Sequence, residues 1–460
     1  MFPDDVLLDI FDVYVNGHSD IETFKKSTEE WQILVHVCRR WRSLVFASPR
    51  RLNLRLVCTQ ETPARDTLDV WPSLPLLIRD TADPTKGMDD IIAVLERSNR
   101  VVEIRLFKVD GSDLEKVLAA MQVPFPELTD LELRSYTGME TVLPNSFLGG
   151  SAPRLEYLQL THIPFPGLPK LLLSAPHLVD LSLMNIPHSG YFSPEAMVTA
   201  LSMLTSLKRL FLEFESPDRA SRRPPPLRRS VLPVLTWFEF KGVCEYLEDL
   251  VANIDVPQLE RLEITFFNQI VFDTPQLIQF ISRTPSLKTF EKAQVRFRYG
   301  ASGVNLSSQT PGYGTLNVQI LCMDLDWQVS SMEQVCTSCL PHLSTLGDLY
   351  IYGHQYSHTA RQDNVENTLW LELLQPFTGV KNLHLSEEFA SRIMPALQEL
   401  VGERSTEVLP TLQNVFLQEL EPSGTIHAAI RQFVATREVT SHPIAVSRWD
   451  NPEEYMVRNF

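Results

Sequence analysis

The chain has 460 residues, 44% of them hydrophobic, and 41 lysines and arginines against 57 aspartates and glutamates give a formal net charge of −16. That length suits two or three ordinary domains or one elongated array, and the acidity argues against general nucleic-acid or anionic-membrane binding. No apolar run nears the roughly 18 residues a bilayer span needs, Phe2 to Ile10 carries acids where a secretory signal carries bases, and six scattered cysteines make no disulfide framework, so a reduced cytoplasmic or nuclear protein is expected.

The first element is a short helix. Asp4 and Asp5 favour its N-terminus, and Leu7, Ile10, Phe11 and Tyr14 recur at helical spacing. A polar stretch, Asn16 to Glu30, reads as a loop insertion. From Trp31 to Val45 the apolar residues Trp31, Leu34, Val37, Cys38, Trp41, Leu44 and Val45 line one side of helical backbone, with Arg39, Arg40 and Arg42 opposite and Ser48-Pro49 as the stop.

Residues 3–11, PDDVLLDIF, and 34–45, LVHVCRRWRSLV, together resemble an F-box, although Phe2 stands where that motif usually has leucine and the 16–30 insertion lengthens the gap. The resemblance implies a helical module that docks on the Skp-type linker of a cullin ubiquitin ligase. The docking residues it implies are Pro3, Leu7, Leu8, Ile10, Phe11, Leu34, Val37, Cys38, Trp41, Leu44 and Val45. The alternative is an ordinary helical hairpin that caps the next domain.

Leu52 to Val57 alternates as a half-buried strand should, and residues 57–89 read as a transition piece. From about residue 90 the form LxxLxL recurs, starting at Val101, Leu128, Leu155, Leu178, Leu207, Leu235 and Leu259. The steps of 27, 27, 23, 29, 28 and 24 residues fall inside the leucine-rich-repeat window. Prolines 126, 153, 176, 233 and 257 each stand two residues ahead of a repeat leucine, and helix-compatible runs such as Leu114 to Met121 and Glu195 to Leu204 lie between the fragments. The ninth position, commonly Asn or Cys in such repeats, holds Val109, Tyr136, Ile163, Ile186, Glu215, Val243 and Phe267, which predicts irregular turns.

After an eighth unit at Leu287, the Gly- and Ser-rich residues 300–314 read as a loop insertion before a strand at Leu316 to Leu321. Looser repeats follow at Leu346, Val380 and Leu412, with helical runs at Thr368 to Leu374, Phe389 to Val401 and Ile426 to Thr436. Pro443 to Trp449 suits a closing strand. The expected fold is α/β: an F-box-like module over 1–56, a transition over 57–89, one leucine-rich-repeat solenoid over 90–440 with a curved parallel sheet inside and helices outside, and a closing strand and tail over 441–460.

Strand alternation sends the residues between the repeat leucines to the solvent side. There Tyr157, Arg209, Phe211, Trp237, Arg261 and Tyr350 have the aromatic-plus-arginine composition of binding hot spots and form the candidate substrate face. The alternative is scattered surface aromatics, which are common.

Phosphate-loop, dinucleotide, HExxH and GxSxG motifs are lacking. The one CxxC, Cys336 and Cys339, falls on one face of a helix read at Ser331 to Leu340 and is expected to be buried; a zinc site would want a second ligand pair. The basic, proline-rich Arg222 to Arg229 reads as a solvated loop, and the sequon at Asn305 carries little weight without a secretory route. Neither cofactor nor metal is expected. The layout resembles F-box proteins with leucine-rich repeats, of the kind abundant in mushroom-forming fungi. That implies a non-catalytic adaptor whose partners are the Skp-type linker, through it a cullin, and a protein substrate held by the repeats. The alternative is a repeat scaffold or sensor outside any ubiquitin ligase.

Overall fold

The computed structural model describes residues 2–16, 30–60, 68, 70–71, 73–80, 88–109, 111–135, 141–217, 229–268, 272–308, 314–340, 343–354, 365–400, 404, 406–418 and 425–449. The 17–29 insertion, Tyr136, Arg222 to Arg228 and the tail beyond Trp449 lie outside them. The chain folds as two compact units, Met1–Phe192 with Thr199–Leu207, and Ser193–Val198 with Lys208–Phe460.

The first unit opens with helices α1 (Asp4–Asn16), α2 (Glu30–Val37) and α3 (Arg39–Ala47). Strands β1 (Leu56–Cys58), β2 (Leu76–Arg79), β3 (Val101–Val109), β4 (Asp130–Ser135), β5 (Tyr157–Thr161) and β6 (Asp180–Ile186) then pair in chain order, every neighbour parallel. Helices α4 (Asp89–Leu95), α5 (Gly111–Ala120) and α6 (Leu168–Leu172) are the crossovers, and α7 (Pro194–Leu201) follows β6 in the chain. Parallel neighbours require such connections, which is why strand and helix alternate. β1 is shorter than the strand expected over Leu52 to Val57, because the chain turns at Asn53, whose φ is 48°.

Six of the repeats enter their strands through the same proline-containing turn. The N–H groups of Leu128, Leu155, Leu178, Leu259, Leu287 and Leu412 donate to the carbonyls of Phe125, Ala152, Ala175, Val256, Thr284 and Leu409 at 3.1–3.3 Å, three residues back. Pro126, Pro153, Pro176, Pro257, Pro285 and Pro410 fill the second position of those turns, where the φ fixed by the ring is already correct. The leucine that ends the turn and the two inward strand residues are buried in every LxxLxL unit from Leu128 to Ile264. At about 1.5–3 kcal/mol per side chain, that burial supplies the driving force of the array. At the ninth position Val109, Ile163, Ile186 and Val243 are buried, so apolar packing replaces an amide ladder there. The turns are correspondingly uneven: the β3–β4 register shifts between Leu106 and Val109, and His162 and Asn185 take positive φ.

In the second unit the strands are β7 (Arg209–Phe214), β8 (Ser230–Val231), β9 (Trp237–Gly242), β10 (Ile254–Asp255), β11 (Arg261–Phe267), β12 (Lys292–Arg298), β13 (Ala301–Ser307), β14 (Thr315–Leu321), β15 (Asp348–His354), β16 (Asn382–Leu385), β17 (Asn414–Leu417) and β18 (Ala445–Arg448). Helices α8 (Cys244–Ala252), α9 (Pro275–Arg283), α10 (Leu325–Ser338), α11 (Asn367–Leu374), α12 (Glu387–Gln398) and α13 (Thr425–Val439) connect them. β8 and β10 form a separate parallel pair, and the main order is β7-β9-β11-β14-β13-β12-β15-β16-β17-β18.

That order corrects the sequence reading at 300–314. Much of the stretch is strand β13, paired antiparallel to both β12 and β14. β12 and β13 meet at a tight turn, with Gly300 at φ +80°. Glycine and serine suggested a loop, but Ser302, Val304 and Leu306 alternate inward and are buried, and burial of one face outweighs weak strand propensity. Three strands thus run back across the sheet before β15 rejoins β12 in parallel.

The N-terminal module also differs from its reading as one helical stripe. Cys38 is extended, and its Sγ accepts the Trp41 N–H at 3.5 Å, so α2 ends and α3 begins there. Trp31 is buried, donates Nε1–H to the Arg55 carbonyl at 3.0 Å and packs edge-on against Trp71 at 5.2 Å. Phe11 of α1 meets Trp41 of α3 at 4.7 Å, and Arg40 pairs with Asp4 at 2.5 Å. The three helices therefore close on one another.

Candidate functional site

Of the eleven residues implied to dock a linker, Leu7, Leu8, Phe11, Leu34 and Val45 are buried, and Trp41 and Leu44 are half-buried. The buried ones among them pack the three helices against one another. Pro3, Ile10, Val37 and Cys38 are exposed. The module's open apolar surface comes mostly from residues the motif did not single out: Phe2, Val6, Val13, Tyr14 and Ile33 join Ile10 and Val37 outside. On α1, Val6, Ile10, Val13 and Tyr14 recur at i, i+4, i+7 and i+8, a second stripe beside the buried one. The periodicity signal was present, but both stripes satisfy it. Seven of the seventeen large hydrophobics exposed among the described residues fall within residues 2–37, a local concentration of the kind that marks interaction sites.

The open face of the first unit is a chain of ion pairs. Arg79 and Arg105 lie 2.8 and 3.2 Å from Glu103, Arg105 reaches Asp130 at 3.6 Å, and Arg134 contacts Glu132 at 2.6 Å. Arg134 also sits over the Phe107 ring at 5.1 Å. Tyr157 is half-buried in this chain: the Gln159 amide bridges its hydroxyl and, through oxygen, the Arg134 guanidinium at 3.1 Å. Burial, reinforced by Glu132 and Asp180, pushes the Tyr157 phenol up to about 12. Tyr157 is thus tied into its own sheet.

In the second unit, β7, β9 and β11 set Arg209, Trp237 and Arg261 in one register row, and Phe211, Glu239 and Glu263 in the next. The Arg261 guanidinium lies 4.5 Å over the Trp237 ring, which meets Phe211 edge-on at 5.3 Å. Arg209 and Arg261 are exposed, the two rings half-buried, so structure brings together four of the six residues expected on a substrate face. Lys241 pairs with Glu213 at 2.5 Å, and Arg261 with Glu263. Glu239 lies between those two acids, and burial followed by Glu263 and Glu213 raises its pKa to about 7.

Tyr350 is the exception. It is only 5% exposed, because Trp449, 3% exposed itself, folds over it at 5.8 Å. Below Trp449, Tyr350, His384 and Phe416 stack across β15, β16 and β17 at 4.2 and 4.4 Å. Burial depresses the His384 pKa to about 4 against an opposing effect of Asp348, so its ring is neutral at ordinary pH. Trp449 closes this shelf from about a hundred residues away in sequence, a distance over which no local pattern gives a signal.

Cys336 and Cys339 are buried, at the end of α10 and its cap, and burial pushes both thiols well above the ordinary range. Thiolate, the form that binds metal or attacks, is thereby disfavoured. Among the described residues no group of three or more His, Cys, Asp or Glu could hold a metal ion, and no helix is long and apolar enough to cross a membrane. Asn305 lies within β13, paired on both sides.

No protein-family model matches this sequence, and no curated protein is found similar to it. Among solved structures, the leucine-rich repeat-containing protein LegL7 from Legionella pneumophila matches at 10% identity, over 83% of this chain and 97% of that one, with a TM-score of 0.28. At that identity and score, nothing about function passes from one protein to the other.

Proposed function

We propose that the chain is a non-catalytic adaptor, in which the N-terminal helices dock a Skp-type linker of a cullin ubiquitin ligase and the leucine-rich repeats hold a protein substrate. The observation that carries this reading is the second apolar stripe of α1 and α2: Ile10 is 48%, Val13 70% and Val37 55% exposed while Leu7, Phe11 and Leu34 fill the inside. A helix that only caps its neighbour needs one apolar face, and a second is stable in water only at a cost that a partner removes. Catalysis on this reading is by proximity, raising the effective concentration of a substrate lysine near an activated thioester on another subunit.

Copurification tests it. Wild-type protein should recover the linker, and Ile10→Asp with Val37→Asp should lose it while the melting temperature stays within a few degrees. Leu7→Asp is the wrong probe, because Leu7 is buried and its loss unfolds the module. If wild-type protein recovers no linker, the ligase reading fails. The repeats would then serve a scaffold outside ubiquitin ligation, a reading favoured by the Phe211, Trp237 and Arg261 cluster, which has the hot-spot composition of protein interfaces whatever the N-terminal helices do.

A further inference from the structure

Between residues 232 and 438, the large hydrophobic side chains exposed among the described residues all stand at one place: Tyr299 is 75%, Met323 54% and Trp327 49% exposed. Tyr299 follows β12, Met323 follows β14, and Trp327 is in the first turn of α10. Because β13 runs antiparallel to both neighbours, β12 and β14 end on the same rim of the sheet. The Cys322 N–H donates to the Gly300 carbonyl at 3.0 Å, and the Met323 Sδ lies 3.5 Å from where a Cβ at Gly300 would stand. A helical side chain leans toward the N-terminus of its helix, which carries the Trp327 ring back toward Met323. The three side chains thus make one apolar patch.

Buried hydrogen bonds fix its support. Gln328, next to Trp327 and fully buried, donates from Nε2 to the Arg298 carbonyl at 2.9 Å and to the Cys322 carbonyl at 2.7 Å. The Ser302 hydroxyl donates to the Gln328 main-chain carbonyl at 3.5 Å. One residue of α10 therefore ties together the ends of β12 and β14 and the start of β13. A surface ordered before binding loses little entropy when it is covered. Asp324 and Asp326 alternate with the patch residues along the chain; both are exposed, and neither carboxylate bonds or ion-pairs with another described residue.

Those two acids select the occupant. A second copy docked about a twofold axis would set the same carboxylates face to face, and an anionic bilayer would be repelled. A segment that carries lysine or arginine beside large apolar side chains meets both features, and the flexible thioether of Met323 adapts to its shape. We infer that the rim formed by Tyr299, Met323 and Trp327 docks a basic segment of a partner protein, whose apolar side chains cover Met323 and Trp327 and whose cations pair with Asp324 and Asp326. The surface is separate from the N-terminal helices and from the Phe211, Trp237 and Arg261 cluster, so it stands whichever of those readings fails.

Fluorescence anisotropy with the full chain tests it, using three labelled peptides of equal length: leucine and lysine at helical spacing, the same with glutamate for lysine, and the same with serine for leucine. The leucine-lysine peptide should bind saturably, and the other two about tenfold more weakly or worse. Trp327→Gln and Met323→Gln should each weaken its binding about tenfold, and Asp324→Asn with Asp326→Asn about fivefold, with melts unchanged. Glu115→Gln with Glu156→Gln, an equal charge change at exposed positions of the first unit, should bind as wild type. So should Ile10→Asp with Val37→Asp, the protein expected to lose the linker. The surface is overturned if both the Trp327→Gln and the Met323→Gln proteins bind as wild type, if the Glu115 and Glu156 pair costs as much as the aspartate pair, or if the serine-lysine peptide binds as tightly as the leucine-lysine one. A dimer in sedimentation that Trp327→Gln dissolves would assign the rim to a second copy, and binding to phosphatidylserine vesicles lost in that variant would assign it to a membrane; either overturns the basic partner.

Discussion

The outward rows of the two units have the same strand geometry and different chemistry. In the first, Arg79, Glu103, Arg105 and Asp130 neutralise one another along β2 to β4, and Arg134 turns back on Glu132. In the second, Arg261 lies over Trp237, which meets Phe211 edge-on, and Glu239 is held between two other carboxylates. The repeat needs only its inward leucines, so the outward positions are free to differ. A row whose charges are already matched offers a partner little, because each contact must first displace an internal one. A row that sets aromatic rings beside exposed arginines has the composition of which interface hot spots are made.

The comparison holds only if the interiors are equivalent. Leu131→Ala and Leu262→Ala remove fully buried inward leucines, one in each unit, and each should cost about 2–5 kcal/mol by chemical denaturation. A loss below about 1 kcal/mol at either position would mean that its unit is loosely packed, and that its face cannot be compared as a rigid surface.

Trp449→Ala tests whether the aromatic shelf belongs with the open part of the second face. The substitution should uncover Tyr350 and His384 at a cost of about 2–3 kcal/mol, below the usual core-tryptophan range because β18 is an edge strand with mostly exposed side chains. His384 carries its own pH signature. Its folded pKa, about 4, lies below the ordinary 6.5, so the unfolded chain binds the extra proton between those values. Stability from His384 is complete above about 6.5 and lost as pH falls toward 4. In the Trp449→Ala protein the histidine titration followed by NMR should move up toward 6.5. A midpoint that stays near 4 would show that something other than Trp449 buries the ring.

Glu239 has the opposite sign. Its folded pKa of about 7 lies above the ordinary 4.5, so the folded chain holds the proton longer, and the penalty for ionising Glu239 grows as pH rises from 4.5 to 7. Glu239→Gln should therefore stabilise the protein at pH 8 by a few tenths to about 1 kcal/mol, discounted for solvent screening at a partly exposed site, and should do little at pH 4.5. A uniform effect at both values would assign the change to packing. The smallest expected effect is in the first unit: Arg154→Gln removes the exposed partner of Glu127 and should cost about 0.2–1 kcal/mol and weaken with salt, as exposed ion pairs do.

The LxxLxL spacing and its prolines were legible because each is a local cause: a turn three residues long, followed by a period-two strand. The break at Cys38 was not, since two helices joined at an extended residue show nearly the same three-and-four spacing as one. The double stripe on α1 escaped for a related reason. Val6, Ile10, Val13 and Tyr14 repeat as regularly as Leu7, Phe11 and Val15, and the pattern does not say which set meets α3. The pairing of β13 with β12 was not readable either, since nothing local sets Gly303 beside Arg296.

The sequence by itself determined the repeat, its parallel strands and crossover helices, the inward leucines, and the aromatic and arginine positions of β7, β9 and β11, because those depend on neighbours within one repeat length. Only the tertiary structure decided the reversed order of β12, β13 and β14, the outward stripe on α1, and the cover of Trp449 over Tyr350. Each depends on which distant backbone lies alongside, and that is settled by the summed burial of whole faces rather than by the residues at the contact.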